Sequence, residues 1–342
     1  MVKIAVIGHF VKDYWISAKR DFSKYNPEQS IDEVLSLASN NGDIINSSFG
    51  GTALTWTQYL IPKHEVSTIS VLGNDNPSRE IKEILDLHES INQEGIKTYA
   101  GSIPRFVLVF PERPQEQNHR KFWKSKVYWE GRMADKNFPK VEISPQFLGA
   151  HDVLVLPITE PLLALQAAKS FLSQNPSGKI VYNPGRYLHG FGLSLEGTNF
   201  QEIVNNYATS LLLNGQEVGV VQSGLHLGNI SRLFRSGRRL ELVLHTKDRN
   251  GSVVYERKTS KKYEPNNVNP LFVDPSFELG AGDAFGAVFH RKYLKGDSID
   301  EALECATRGA EHCLTFPGAL CRQRIIEGTY TDSGVKVANF RM

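Results

Sequence analysis

The sequence has few cysteines and no long apolar run. Its three cysteines, Cys305, Cys313 and Cys321, lie late in the chain and include no CxxC pair. Their number and spacing suit neither a disulfide framework nor a zinc site, which favours a reducing compartment. No run is long enough to span a membrane, and the N-terminal run 1–8 is too short for a signal peptide. We therefore expect a cytoplasmic protein.

An excess of charge of either sign is also missing. The 39 Lys and Arg residues nearly balance the 37 Asp and Glu residues, which leaves a net charge of +2. The stretch 118–124 mixes basic and aromatic residues as nucleic-acid surfaces do, but a whole-chain basic excess does not accompany it. The composition therefore predicts neither a nucleic-acid partner nor a membrane partner.

Short apolar runs and amphipathic stretches alternate along the 342 residues. Residues 4–7 are continuously apolar, as expected of a strand buried on both faces. From Asp152 onward strands and helices alternate, which is typical of a parallel sheet covered by helices on both faces. Asp75 is interpreted as the N-cap of the helix that follows it. The predicted strands are 3–7, 66–72, 105–110, 126–129, 153–156, 180–182, 210–213 and 241–246, and the predicted helices are 31–38, 79–87, 162–172 and 299–314.

The clearest functional motif is Gly280-Ala281-Gly282-Asp283, which precedes an apolar helical pattern. Residues with little or no side chain let backbone N–H groups approach a ligand closely. At the start of a helix these N–H groups lack intrahelical partners and lie at the positive end of the dipole, so they form a natural anion site. The Asp283 carboxylate would lie beside that site, where it can take a proton from an alcohol. The alternative is an ordinary helix start with an acidic residue near its N-cap.

Polar residues and glycines follow several of the predicted strands. Asp13 comes after the first strand, at the edge where open α/β sheets bind ligands. Gly50 and Gly51 precede a helical stretch and allow close approach of the backbone to a ligand. Asn214 and Glu217 follow a later strand. Each has a structural alternative: a surface aspartate in a turn, a plain glycine turn, and a glutamate that caps a helix.

Together these motifs resemble the ribokinase, or PfkB, family of carbohydrate and nucleoside kinases. Gly280–Phe285 is similar to the C-terminal signature of that family, and the other landmarks occur in the family's order along nearly the whole chain. The resemblance implies an α/β fold: a ribokinase-like three-layer α/β/α sandwich with a mostly parallel sheet and a small β lid. It also implies a single kinase domain over 1–342, with the lid built from about 16–46 and 103–130.

The resemblance further implies an ATP-dependent phosphotransferase that acts on a hydroxyl of a sugar or sugar-like molecule, with ATP and Mg²⁺ as cofactors. Asp283 would be the general base, and the amides of Gly280, Ala281 and Gly282 would be the anion hole. The residues expected to hold the acceptor are Asp13, Gly50 and Gly51. The residues expected at the nucleotide are Asn214, Glu217, Thr246 and Gly251, with Glu217 holding magnesium through water.

The chain departs from the family pattern at three places. Thr55 stands where the family usually has Asn, Asp248 replaces a glycine near the ATP site, and 277–279 replace a segment that begins Asp-Thr. A non-catalytic ligand-binding protein that kept the fold is therefore one open alternative. A nucleoside kinase on the same fold, with Trp15 or Phe106 packing on a base, is another. Lid edges can pair between subunits, so a homodimer through the lid is also open.

Overall fold

The computed structural model describes most of the chain and shows alternating strands and helices. The described residues are 1–19, 22–26, 28–87, 89–113, 115–117, 120–122, 126–130, 143–185, 187–188, 194–247, 250–259, 262–263 and 280–314. The strands are β1 (Lys3–Ile7), β2 (Val11–Ala18), β3 (Ile44–Gly50), β4 (Glu65–Leu72), β5 (Ile91–Asn92), β6 (Ile96–Thr98), β7 (Arg105–Pro111), β8 (Gln115–Gln117), β9 (Arg120–Phe122), β10 (Lys126–Glu130), β11 (Val153–Pro157), β12 (Lys179–Asn183), β13 (Ser210–Asn214), β14 (Leu242–Thr246), β15 (Ser252–Glu256) and β16 (Lys262–Tyr263). The helices are α1 (Ile31–Asn41), α2 (Thr52–Leu60), α3 (Asn76–Asp86), α4 (Pro145–Gly149), α5 (Pro161–Gln174), α6 (Asn199–Asn206), α7 (Gly215–Gly224), α8 (Leu233–Ser236), α9 (Ala281–Lys295) and α10 (Ile299–Cys313), with turns of 3-10 helix at Phe22–Lys24 and Ile230–Arg232.

A central sheet organises the chain. Its order is β16-β15-β14-β13-β12-β11-β1-β4-β5, with β6 pairing to β4. All pairs from β14 to β5 are parallel, and β15 and β16 add an antiparallel edge. The carboxyl ends of the parallel strands therefore meet at one edge of the sheet, which is where open α/β sheets bind ligands.

Helices cover both faces of this sheet and make three layers. On β1 successive side chains point to opposite faces: Ile4 packs into one buried cluster, which includes residues of α2, α3, α9 and α10. Ala5 packs into the other, which includes residues of α4, α5, α6 and α7. This arrangement confirms the predicted α/β/α sandwich with a mostly parallel sheet.

A second, four-stranded sheet has the order β10-β7-β2-β3, and we call it the lid sheet. Helix α1 covers one of its faces, where Val34 packs with Ile16 and Val109. Trp15, Leu108 and Phe110 form a small apolar cluster on the other face. The sheet lies within the two predicted lid segments except that β2 begins at Val11 and β3 ends at Gly50. The bounds of the lid as a separate unit stay a prediction.

Strands β3 and β10 form the two edges of the lid sheet, and both carry exposed apolar side chains. Ile44, Ile45 and Val127 are 43%, 37% and 56% exposed. Exposed apolar edges favour pairing with another chain. The homodimer through the lid stays a prediction.

The predicted strands agree closely with those of the structure. Each begins and ends within one residue of its expected bounds. Two strands of the lid sheet, β2 and β3, were not predicted, so Asp13 lies within a strand rather than in a turn after β1. Asp75 caps α3, because its side chain accepts the Ser78 N–H at 3.1 Å.

Among the described residues, no helix combines the length and the apolar character that crossing a membrane requires.

Candidate active site

Helix α9 begins with an N-terminus that no side chain caps. Gly280 has the left-handed φ of 81°, which glycine adopts readily, and provides no side-chain hydrogen bond to the first turn. Its carbonyl accepts the Ala284 N–H at 2.8 Å. A Cβ added at Gly282 would meet no described atom within 4 Å. No described residue therefore crowds Gly282 in the first turn of α9, and the positive end of the helix dipole lies there, as an anion site requires.

Asp283 lies in the first turn of α9 and is held from the neighbouring helix. The indole Nε1–H of Trp56, in α2, donates to Asp283 Oδ1 at 2.9 Å. Burial raises the pKa of Asp283 to about 6, while this hydrogen bond acts in the opposite direction because it stabilises the ionised form. The carboxylate is thus ionised at neutral pH but retains enough basicity to accept a proton.

Asn214 and Glu217 form a capping box at the start of α7. Asn214 Oδ1 accepts the Glu217 N–H at 2.9 Å, and Glu217 Oε2 accepts the Asn214 N–H at 2.8 Å. Asn214 Nδ2 also donates to Glu217 Oε1 at 2.9 Å. Glu217 therefore caps a helix, as the structural alternative predicts. A site role remains compatible with it because each carboxylate oxygen has a further lone pair.

Glu217 and Asp283 share one electrostatic environment. Glu217 is 6% exposed, and burial raises its pKa to about 7, with the charge of Asp283 adding to the rise. Two carboxylates that repel each other with little access to water are stabilised by a nearby cation, and carboxylate oxygens are ligands that Mg²⁺ prefers. Within the described ranges no three His, Cys, Asp or Glu residues lie together as a metal site. Two carboxylates without a third are compatible with a magnesium ion that keeps most of its water, and the role of Glu217 as a ligand through water stays a prediction.

Thr246 and Gly251 lie beside Asn214 at the same edge of the central sheet. Asn214 and Thr246 are register partners at the ends of the parallel strands β13 and β14. The turn from β14 to β15 closes through Lys247, whose N–H donates to the Gly251 carbonyl at 2.7 Å, and Gly251 has a φ of +83°. The structure thus brings together Asn214, Glu217, Thr246 and Gly251, as expected of one nucleotide site. Asp248 lies outside the described residues, as do 277–279 and Cys321.

Asp13 lies on the face of the lid sheet that turns away from α1. Its register partners are Ser48 in β3 and Phe106 in β7, and side chains of register partners point to the same face. Asp13 is 6% exposed, and burial raises its pKa to about 7 although the charge of Lys12 opposes the rise. Its carboxylate accepts no hydrogen bond from the described residues, so it is available to the hydroxyl groups of a ligand.

Two buried hydroxyls near Asp13 and the glycine pair also lack partners. Ser48 Oγ and Thr55 Oγ1 are shielded from solvent, and neither makes a hydrogen bond within the part of the chain that the structure describes. Buried polar groups are normally paired, so both hydroxyls keep hydrogen-bonding capacity for a ligand that reaches them. Sequence analysis did not single out Ser48. Its only signal in the sequence is its place two residues before the glycine pair, because 44–50 lacks the alternation of a strand.

Gly50 and Gly51 connect the lid sheet to helix α2. Gly50 ends β3 opposite Val11, and Gly51 is the N-cap of α2 with a φ of +86°. A Cβ at Gly51 would overlap the His9 carbonyl oxygen, so the position needs glycine. Five residues further along α2, about 7.5 Å of helix rise, Trp56 reaches Asp283. Helix α2 thus links the expected acceptor side to the expected base.

Arg105, the first residue of β7, lies on the opposite face of the lid sheet from Asp13. It is the register partner of Lys12 rather than of Asp13, and its Nη1 donates to Asp32 Oδ1 of α1 at 2.6 Å. The ion pair shows that Arg105 joins α1 to the lid sheet. The structure does not bring it together with Asp13.

Comparisons with known proteins rest on structure rather than sequence. No family model and no curated protein sequence matches this chain significantly. The nucleoside kinase of Methanocaldococcus jannaschii, an archaeal member of the ribokinase family, is similar in structure, with a TM-score of 0.68 and 18% identity over 96% of this chain and 97% of that chain. The chain has the ribokinase-like fold.

Two further solved structures show the breadth of this ribokinase-like group. The nucleoside kinase of Burkholderia thailandensis in complex with inosine has a TM-score of 0.69 and 14% identity, over 96% of this chain and 97% of that chain. The ribokinase of Arabidopsis thaliana complexed with ribose and ATP has a TM-score of 0.65 and 14% identity, over 95% and 98%. Identities this low establish the fold, so activity and substrate have to be argued from the site.

Proposed function

We propose that this protein is an ATP-dependent kinase that phosphorylates a hydroxyl group of a sugar or sugar-like molecule. The observation that carries the proposal is Asp283, a partly buried carboxylate with a raised pKa in the first turn of a helix whose N-terminus has no side-chain cap. Phosphoryl transfer depends mostly on positioning and on electrostatic stabilisation. An uncapped helix N-terminus and an adjacent carboxylate supply both.

Asp283 would accept the proton of the acceptor hydroxyl while that oxygen forms its bond to phosphorus. The N–H groups of Gly280, Ala281 and Gly282 would donate to the phosphoryl oxygens, where negative charge has to be stabilised. When bound, ATP would supply the phosphoryl group and magnesium would screen its charge. Glu217 would hold the magnesium through water, and Asn214, Thr246 and Gly251 would line the nucleotide.

The acceptor side of the site is polar and unpaired. Asp13, Ser48 and Thr55 have buried oxygen atoms that make no hydrogen bond with the described residues, and Gly50 and Gly51 let the backbone approach. Hydroxyl groups of a small ligand can donate to the carboxylate and bond to the two side-chain hydroxyls. Adjacent hydroxyls are the defining feature of sugars, which supports a sugar-like acceptor.

A nucleoside is the second candidate acceptor, and an apolar surface favours it. Asp13 shares its face of the lid sheet with Phe106 and with the apolar cluster of Trp15, Leu108 and Phe110. Aromatic and apolar side chains beside a carboxylate suit a molecule with a flat ring at one end and hydroxyls at the other. Competition by adenosine, inosine and cytidine against simple sugars separates the two candidates.

The test of the proposal is ADP release from Mg-ATP across a panel of sugars and nucleosides. We expect acceptor-dependent turnover, with kcat reduced roughly 10²- to 10⁴-fold in Asp283→Asn because the general base is lost. ATP binding by calorimetry should be retained in the variant. Near-normal turnover in Asp283→Asn would contradict the assignment of the base. ATP binding without turnover on any acceptor would support a non-catalytic ligand-binding protein.

A further inference from the structure

The hydrogen bond between Trp56 and Asp283 joins residues that lie 227 positions apart in sequence. Trp56 is fully buried in α2, the helix that begins at the glycine pair. Asp283 Oδ1 accepts its indole N–H, and Oδ2 accepts no hydrogen bond from the described residues. One oxygen of the carboxylate is therefore fixed by the protein, and the other is left for a ligand.

The position of the indole ring is set by the residues around it. A Cβ added at Gly286 would come within 2.7 Å of Trp56 Cζ2 and 2.6 Å of Leu212 Cδ2, so Gly286 leaves the space that the ring occupies. His290 lies one turn further along α9, with its ring centroid 5.8 Å from that of Trp56. His290 is fixed in turn, because Nε2 bonds Ser210 Oγ at 2.8 Å and Nδ1 bonds the Gly286 carbonyl at 2.7 Å.

We propose that Trp56 is a positioning residue, whose indole N–H holds the Asp283 carboxylate so that Oδ2 is the oxygen that takes the acceptor proton. The inference rests on the proposed function, in which Asp283 is the general base. A buried indole N–H needs an acceptor, and here the acceptor is the carboxylate at the uncapped helix N-terminus. Because the ring is confined between Gly286 and His290, the bond restricts the rotation of the Asp283 side chain.

The Asp283 carboxylate has few charged neighbours among the described residues. Glu217, from α7, interacts with it electrostatically. Helix α2 and strand β13 contribute no acidic or basic side chain, and α10, which packs along α9, has Arg308, Glu311 and His312 near its C-terminus. Burial lowers the pKa of His290 to about 4, so its ring stays neutral at the pH values of the test.

The first experiment follows the indole N–H directly by NMR and needs no enzyme activity. The chain has four tryptophans, and the signal absent from Trp56→Phe identifies Trp56. We expect this signal to move with pH between 5 and 9 in the native protein and to lose that movement in Asp283→Asn. A signal that is indifferent to Asp283→Asn would overturn the proposal. If the signal instead responds to the titration of Glu217, its movement with pH would remain in Asp283→Asn. The variant therefore distinguishes the two carboxylates.

The second experiment is the kinetics of Trp56→Phe, which keeps the buried ring and removes the donor. We expect kcat to fall roughly 10- to 100-fold, as for loss of a hydrogen bond to a charged group, with little change in KM. Loss of the donor also raises the pKa of Asp283, so the acidic limb of the pH profile moves to higher pH. The control is Thr57→Val on the same helix, which removes a buried hydrogen bond to Thr68 (2.9 Å) away from Asp283.

The outcomes separate this inference from the proposed function. Full activity in Asp283→Asn would remove the base assignment whatever Trp56→Phe does. An inactive Asp283→Asn beside a Trp56→Phe with unchanged kcat and unchanged pH profile would overturn the positioning role alone. Equal losses in Trp56→Phe and Thr57→Val, with no shift of the pH profile, would also overturn it, since they indicate general destabilisation.

Discussion

Asp13→Asn is expected to stabilise the protein at alkaline pH while weakening its binding of the acceptor. Asp13 is 6% exposed, and burial raises the pKa of its carboxyl group from 3.8 to about 7. Above pH 7 the folded protein therefore holds a buried negative charge, which the unfolded chain holds in water. Asn occupies nearly the same volume without that charge.

The size of the effect follows from the difference in pKa between the two states. A folded pKa about 3 above the unfolded value costs the folded state about 4 kcal/mol at 1.36 kcal/mol per pKa unit. Below pH 3.8 both states hold the neutral acid, so the cost is absent; it grows as pH rises to about 7 and is constant above that. At pH 5 it amounts to about 1.6 kcal/mol.

The assay is urea unfolding of the native protein and Asp13→Asn at pH 5 and pH 8. The advantage of the variant should be larger at pH 8 than at pH 5 by about 2.5 kcal/mol. The matched control is Glu112→Gln, which removes an exposed carboxylate that follows β7 and should show no such dependence. If native protein and Asp13→Asn respond to pH alike, the reasoning from burial is wrong.

The same substitution should impair acceptor binding. Hydrogen bonds to a charged group contribute about 1.5–3 kcal/mol each, so the loss of one should raise the acceptor KM roughly 10- to 150-fold. Because Asp13 is ionised above pH 7, acceptor binding by the native protein should strengthen as pH rises through 7. That dependence should disappear in Asp13→Asn.

Two further predictions concern the nucleotide side and the glycine pair. Glu217→Gln should raise the magnesium concentration needed for half-maximal turnover roughly tenfold, since it removes one buried charge beside Asp283. An unchanged magnesium titration would contradict the proposed role of Glu217 as a ligand. Gly51→Ala should lower stability by more than the roughly 1–3 kcal/mol of a non-glycine residue in a sparsely populated backbone region, because at φ +86° its Cβ would also overlap the His9 carbonyl. Gly42→Ala is the control in thermal denaturation, since Gly42 also has a positive φ, of +68°, but no described atom lies within 4 Å of its added Cβ, and equal losses would refute the overlap argument.

The sequence predicts the central sheet well because burial on both faces leaves a clear pattern. Strands such as β11 and β13 are continuous apolar runs, and their bounds follow from where that run ends. The lid strands β2 and β3 are different. Residues 11–18 and 44–50 include the polar residues Asp13 and Ser48, which lie on the face of the lid sheet opposite α1, so the alternation that identifies a strand is broken there.

Long-range contacts in the site lie beyond what a single sequence shows. Asp283 is recognisable because its role depends on its immediate neighbours, which create the helix start. Trp56 has no local signal of this kind, since a buried tryptophan in an apolar helix is ordinary core. Only the packing of α2 against α9 shows that its N–H meets a carboxylate.

Electrostatics supports the assignment of the site independently of the motifs. Among the described acidic residues, those whose pKa rises to about 6 or 7 are Asp13, Glu217 and Asp283, each mainly because of burial. A protein selected for stability alone would replace or pair buried carboxylates, because each costs folding energy. Their presence at the proposed acceptor, metal and base positions is what a site for a hydroxylated acceptor and a cation requires. Ligand binding should accordingly stabilise this protein most at pH values above 7, where all three groups are charged.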